Sequence, residues 1–136
     1  IISRGEAATM TLLRIDPVQI TAPRSREREA RHFYGNVLGL RELGRPRTLP
    51  ASSLSFALGE ATELHVVLVE SPFRPPLSDH FAVAADDLEA VKRRLAEHSV
   101  SYNPMPGQGG YERIFVQDPF GNRIEFLALA REGALK

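Results

Sequence analysis

Gln117-Asp118-Pro119-Phe120-Gly121-Asn122-Arg123-Ile124-Glu125-Phe126 is the stretch on which the fold turns. Ile114, Phe115 and Val116 precede it as an apolar strand signal, and Ile124 opens a second one. Between them Pro119 presets φ at the second position of a turn, and Gly121 with Asn122 tolerates positive φ. The segment therefore predicts a tight β-hairpin. One carboxylate, Glu125, sits inside the second strand between Ile124 and Phe126. Charged residues are depleted in strands and rarely buried alone. Glu125 accordingly faces solvent, is paired, or binds a metal.

The remaining 126 positions bound what such a site could serve. A chain of 136 residues suits one domain or two small modules sharing a core. It has no cysteine, which excludes disulfides, thiolate zinc sites and cysteine nucleophiles and fits a cytoplasmic location. Lys+Arg and Asp+Glu are both 17, so the basic excess of a nucleic-acid binder is missing and none is expected as a partner. No apolar run reaches the roughly 18 residues of a membrane span. Residues 1–11 read as an irregular leader within which Met10 is a candidate start.

The rest divides into two similar halves. In the first, residues 12–70, a strand over Leu12–Thr21 leads to a helix N-capped by Ser25. Its stripe of Ala30, Phe33, Tyr34, Val37 and Leu38 has core-facing helical spacing, and Gly39 ends it. Strands follow near Arg41–Leu43, Ser53–Leu58 and Glu63–Val69. The linker, 71–78, holds Pro72, Pro75 and Pro76, which favour an extended connection. The second half, 79–130, repeats the order. Asp79–Ala84 is a strand, Asp86 with Glu89 forms a capping box, and Leu88, Val91 and Leu95 line a helix ending near Ser99. A short strand at Val100–Tyr102 and a Gly/Pro-rich loop over 102–113 precede the closing hairpin. Residues 131–136 form a tail. Each half reads β-α-β-β-β.

Aligning the halves places Gln19 with His80, and Leu64-His65-Val66 with Ile124-Glu125-Phe126. Gln19 and His65 lie 46 positions apart, His80 and Glu125 45. Four lone-pair donors thus recur at matched places, and a pseudo-twofold axis would let them converge. An O, N, N, O set suits zinc, nickel, cobalt, manganese or ferrous iron and leaves room for water or substrate oxygens. Glu63, two residues from His65 on the same strand face, competes with it. His32 and His98 fall in helices as rim residues. Arg24-Ser25-Arg26-Glu27-Arg28-Glu29 alternates in charge and reads as a solvated helix start.

The chain at this point resembles the vicinal oxygen chelate superfamily of glyoxalase I, extradiol dioxygenases, fosfomycin-modifying enzymes and bleomycin-resistance proteins. The resemblance rests on Val18-Gln19-Ile20, Phe33-Tyr34-Gly35-Asn36-Val37-Leu38-Gly39-Leu40, His80-Phe81-Ala82-Val83 and Asp118 to Phe126, and spans roughly residues 14–130. It implies an α+β fold of two β-α-β-β-β modules forming an open, cup-shaped mixed sheet around a divalent metal held by Gln19, His65, His80 and Glu125. It also implies a homodimer, sometimes with exchanged modules. Gln19 stands where metal-dependent members often carry histidine, though some glyoxalase I proteins have glutamine there, and His65 stands where glyoxalase I has glutamate.

Two functions follow as expectations. In the first, a metal-dependent lyase, isomerase or dioxygenase, the ion chelates neighbouring oxygens of a small substrate as a Lewis acid, with Glu125 as general base. In the second, a metal-free cup sequesters a small molecule, as bleomycin-resistance proteins do. No Trp and only 7% aromatic residues make a stacking groove sparse.

Overall fold

The computed structural model describes residues 10–44, 53–71, 79–105 and 112–128. The first nine leader residues, the linker prolines, Gly107–Gly110 with Tyr111, and the tail lie outside the described residues.

Two four-stranded mixed sheets form the frame. The first contains β1 (Val18–Pro23), β2 (Glu42–Leu43), β3 (Leu54–Leu58) and β4 (Thr62–Val69) in the order β1-β4-β3-β2. The second contains β5 (Phe81–Ala85), β6 (Asn103–Met105), β7 (Arg113–Gln117) and β8 (Arg123–Ala128) in the order β5-β8-β7-β6. In each sheet the first strand pairs parallel with the last, and the other pairs are antiparallel. A parallel pair needs a crossover, and a helix supplies it in both halves. This is the repeated β-α-β-β-β order read from the sequence, and the sheets stay open. No helix among the described residues is long and apolar enough to cross a membrane.

Strand alternation sorts each sheet into two faces. Leu64, Val66 and Leu68 of β4 are buried, as are Ile124 and Phe126 of β8 and Ile114 and Val116 of β7. They join Ala30, Phe33, Tyr34, Val37, Leu88 and Leu95 from the helices in one core cluster. The alternate residues Glu63, His65, Glu125, Phe115 and Arg123 therefore belong to the opposite faces, where the candidate donors lie.

The first crossover departs from the single capped helix expected. Arg24–Arg26 form a 3₁₀ turn, α1 spans Glu27–Arg31, and His32–Val37 wind as a π-helix in which Leu38 N–H reaches the Phe33 carbonyl. Ser25 lies inside the 3₁₀ turn, and no side chain caps that start. Gly39 does stop the helix, at φ +74°. The second helix, α2 (Leu88–Glu97), is capped by Asp87 rather than Asp86: its carboxylate accepts from Ala90 N–H at 3.0 Å. The one-residue shift leaves Glu89 out of a capping box, and it pairs with Lys92 instead. Strand β6 falls at Asn103–Met105 rather than Val100–Tyr102 and includes Pro104. An edge strand tolerates proline because one row of its N–H groups has no ladder partner. Leu12–Pro17 is not a strand, and the ladder of β1 begins at Val18.

The two halves are tied by side chains. The Asp118 carboxylate accepts from the Tyr34 hydroxyl at 2.6 Å and from Asn122 Nδ2 at 2.8 Å, and Asn122 Nδ2 also donates to the Thr21 carbonyl at 3.0 Å. Arg94 of α2 donates to the Val37 and Asn36 carbonyls at 3.0 and 2.8 Å. Those carbonyls end the first helix and lack an intrahelical partner, so one guanidinium both caps that helix and joins the modules.

Burial, with the Asp118 charge beside it, pushes the Tyr34 phenol well above its usual range. A pKa raised in the folded state means the native protein holds this proton more tightly than the unfolded chain. Its contribution is complete below the unfolded value of about 10 and is lost as pH rises beyond that. The urea midpoint is expected to drop on going from pH ~8 to pH ~11, and Tyr34→Phe to remove part of that drop. Equal pH slopes in both proteins would refute the assignment.

Candidate functional site

The sheet register brings some of the sequence-singled donors together and separates others. Gln19 lies directly opposite His65 across the β1–β4 ladder. Glu125 lies opposite Ala82, so His80, just before β5, sits two residues upstream of the register match to Gln19. It still reaches Glu125 diagonally, with Nε2 to Oε1 at 3.1 Å. In the first sheet His65 Nε2 contacts Glu63 Oε1 at 2.9 Å, and the Ser55 hydroxyl donates to that carboxylate oxygen at 3.2 Å. Glu63, held in reserve beside His65, is thus its partner on the strand.

Two donor pairs result, Glu63–His65 and His80–Glu125. Among the described residues no three His, Asp or Glu side chains gather into a group that could hold a metal ion. Arg113, which the sequence reading did not single out, places Nη1 3.6 Å from Glu125 Oε1. A guanidinium beside a carboxylate lowers its attraction for a second cation. The donors of one chain, as placed, do not fit a closed divalent-metal site: each pair supplies two ligands, and one pair already has a cation next to it.

A hollow of about 310 Å³ opens between the modules, lined by Gln19, Thr21, His80, Phe81, Asn122 and Arg123 among others. Gln19 and His80, matched by the repeat, therefore line one cavity. A second hollow, about 550 Å³, lies across the outer face of β7 and includes Asn103, Phe115, Gln117 and Arg123. Phe115 is the aromatic centre of this region. The His80 ring meets it edge-on at 4.9 Å, and the Arg123 and Arg113 guanidinium carbons lie 4.5 and 5.9 Å from its centroid. The sequence signal for this cluster was the alternation Arg113-Ile114-Phe115 facing Arg123-Ile124-Glu125, which sets the odd-numbered residues of both strands on one face.

His32 and His98 are exposed and meet edge to face at 5.9 Å on the helical side, away from these donors.

A doubled β-α-β-β-β unit with polar donors on the faces opposite its helices defines a paired-module scaffold. The chain belongs to the glyoxalase/bleomycin resistance protein/dioxygenase superfamily, whose family model matches residues 14–126. Among solved structures it is similar to a putative glyoxalase family protein from Bacillus anthracis, with 31% identity, TM-score 0.80, and coverage of 90% of this chain and 99% of that one. It is also similar to TnmS3, an antibiotic binding protein from Streptomyces sp. CB03234, at 25% identity and TM-score 0.70, covering 90% and 100% of the two chains. A lactoylglutathione lyase from Agrobacterium tumefaciens shares the fold at 17% identity and TM-score 0.66, covering 87% and 95%. No curated protein matches the sequence significantly.

Proposed function

We propose that this chain is a small-molecule-binding protein whose ligand occupies the hollow between the modules and is held by side chains without a divalent metal. The observation that carries this reading is the Arg113 guanidinium set beside Glu125. A cation beside a carboxylate weakens its pull on a divalent metal, and Glu125, 7% exposed, has the Arg113 guanidinium 3.6 Å from Oε1. The likeness to an antibiotic binding protein at 25% identity is in keeping with it. The hollow, about 310 Å³, sits at the lower end of the ~300–1,000 Å³ usual for small-ligand pockets.

A second reading keeps the metal. Gln19 directly opposite His65, and His80 bonded to Glu125, are two half-sites. A homodimer that apposed one half-site from each copy would complete the set of Gln19, His65, His80 and Glu125, with Glu125 as the base of a metal-dependent enzyme. In either reading the protein works in the cytoplasm as a soluble dimer.

Thermal unfolding of EDTA-stripped protein, titrated with Ni, Co, Zn, Mn and Fe(II) alongside His80→Ala, separates the two. A true site at about 100 times Kd stabilises by roughly 2.7 kcal/mol. The metal-free reading expects no metal-specific rise in Tm. A rise that His80→Ala abolishes would replace it with the metal-dependent one.

A further inference from the structure

We infer that the chain pairs with a second copy of itself through residues 10–17, the apolar side chains of this strap seated in a hollow beside β5 of the other copy. The inference rests on the dimer proposed above and adds the surface that forms it.

Large apolar side chains are left open almost only here. Met10, Leu12, Leu13 and Ile15 are 75–85% exposed, and among the described residues Met105, at 36%, is the one other large apolar side chain in that state. Single exposed apolar residues are ordinary, whereas a run of them forms the kind of patch that marks an interface. The strap is not a loose end. Arg14 Nε donates to the Ala61 carbonyl at 3.0 Å, the Thr62 hydroxyl donates to the Ile15 carbonyl at 3.1 Å, and the Glu63 N–H donates to the Asp16 carboxylate at 3.0 Å. These bonds fix it against the start of β4 while its apolar side chains stay in solvent.

Beside the strap lies a hollow of about 820 Å³, lined chiefly by Ile15, Val18, Leu58, Phe81 and Val83, with Thr62 and His80 as its polar side chains. The chain's own Leu12 and Leu13 do not line it. A protruding apolar strap next to an apolar hollow suits an isologous contact, in which each copy offers both and fills the other's. The charges agree with that occupant. A twofold axis passing near Ile15 runs the two straps antiparallel, which sets Leu12 of one copy against Val18 of the other, at the hollow. The same axis sets Arg14 against Asp16 of the other copy. These two side chains, 50% and 31% exposed, carry opposite charges, so the straps attract where they cross. Val18, His80 and Phe81 also line the hollow between the modules. The leucines of one copy therefore close a flank of the other copy's ligand chamber.

Sedimentation velocity of the full chain over a concentration series tests the surface. The unmutated protein is expected to sediment as a dimer. Leu12→Asp combined with Leu13→Asp should weaken association roughly a hundredfold or more, because two leucines lose apolar surroundings at each of two symmetric contacts. Ala84→Arg, which blocks the hollow from its other wall, should do the same. All three residues are exposed, so the far-ultraviolet circular dichroism of both variants should match that of the unmutated chain. A dimer that survives either change would overturn the seating of the strap in the hollow and leave the dimer standing on another surface. An unmutated protein that stays monomeric up to millimolar concentration would overturn the dimer as well, and leave the strap to a partner other than this chain.

Discussion

Asp118→Ala is expected to destabilise the protein by about 4 kcal/mol, seen as a lower urea midpoint with an unchanged m-value. Asp118 is 4% exposed and serves four donors. Oδ2 accepts from Tyr34 and from Asn122 Nδ2, and Oδ1 accepts from the Phe120 and Asn122 backbone N–H groups at 2.9 and 2.8 Å. Removing the carboxylate strands several buried donors at once, and each unmet donor costs about 1–3 kcal/mol. Asn122 still has the Thr21 carbonyl, and water can reach the Phe120 end of the turn, which keeps the total below the simple sum. Asp118→Asn should fall about midway: it preserves volume but replaces one acceptor by a donor that faces either Tyr34 or the turn amides. A loss below about 1 kcal/mol for the alanine variant would mean that these bonds hold no net stability.

Phe56→Ala should cost about 3–5 kcal/mol by the same measurement. Phe56 is fully buried on β3, with its ring centroid 6.0 Å from that of Tyr34. Truncation removes apolar contact area and leaves a void that the surrounding sheet and helix fill only in part. Phe56→Leu, which keeps most of the volume, should cost about 1.5 kcal/mol or less. The two sites share Tyr34, which packs on one and bonds to the other. The double variant is therefore expected to lose less than the sum of the singles, and strict additivity would show that Tyr34 does not connect them.

Local signals made much of this fold legible. The turn chemistry of Asp118 to Asn122 and the apolar alternation around it specify the β7–β8 hairpin, and the same alternation at Leu64-His65-Val66 exposes the repeat. What stayed hidden was long-range or a matter of single residues. Asp118 was legible as a turn residue but not as the acceptor for Tyr34, 84 residues away. Asp86 and Asp87 are both good caps, and only the tertiary setting of α2 selects the second. The first helix carries an ordinary stripe, and nothing in that periodicity distinguishes a π turn over His32–Val37 from a continuous α-helix. At the site, residue type marked Gln19, His65, His80 and Glu125 as donors. Register and neighbours decide what they can do: the two-residue offset of His80, the partnership of Glu63 with His65, and Arg113 beside Glu125 emerge only when strands are laid side by side.

Each sheet draws all its strands from one half of the chain, and this sets an order of events during synthesis. Once the ribosome has released the chain through Val69, every partner in the first ladder is present, and β1 can lie against β4 before β5 has been made. That half must then wait without the partners of its Tyr34 hydroxyl and Thr21 carbonyl, since Asp118 and Asn122 both lie in the second half. The nascent protein thus passes through a stage with one completed ladder and an uncovered docking face. How fast the second half follows governs how long that face is open to other chains.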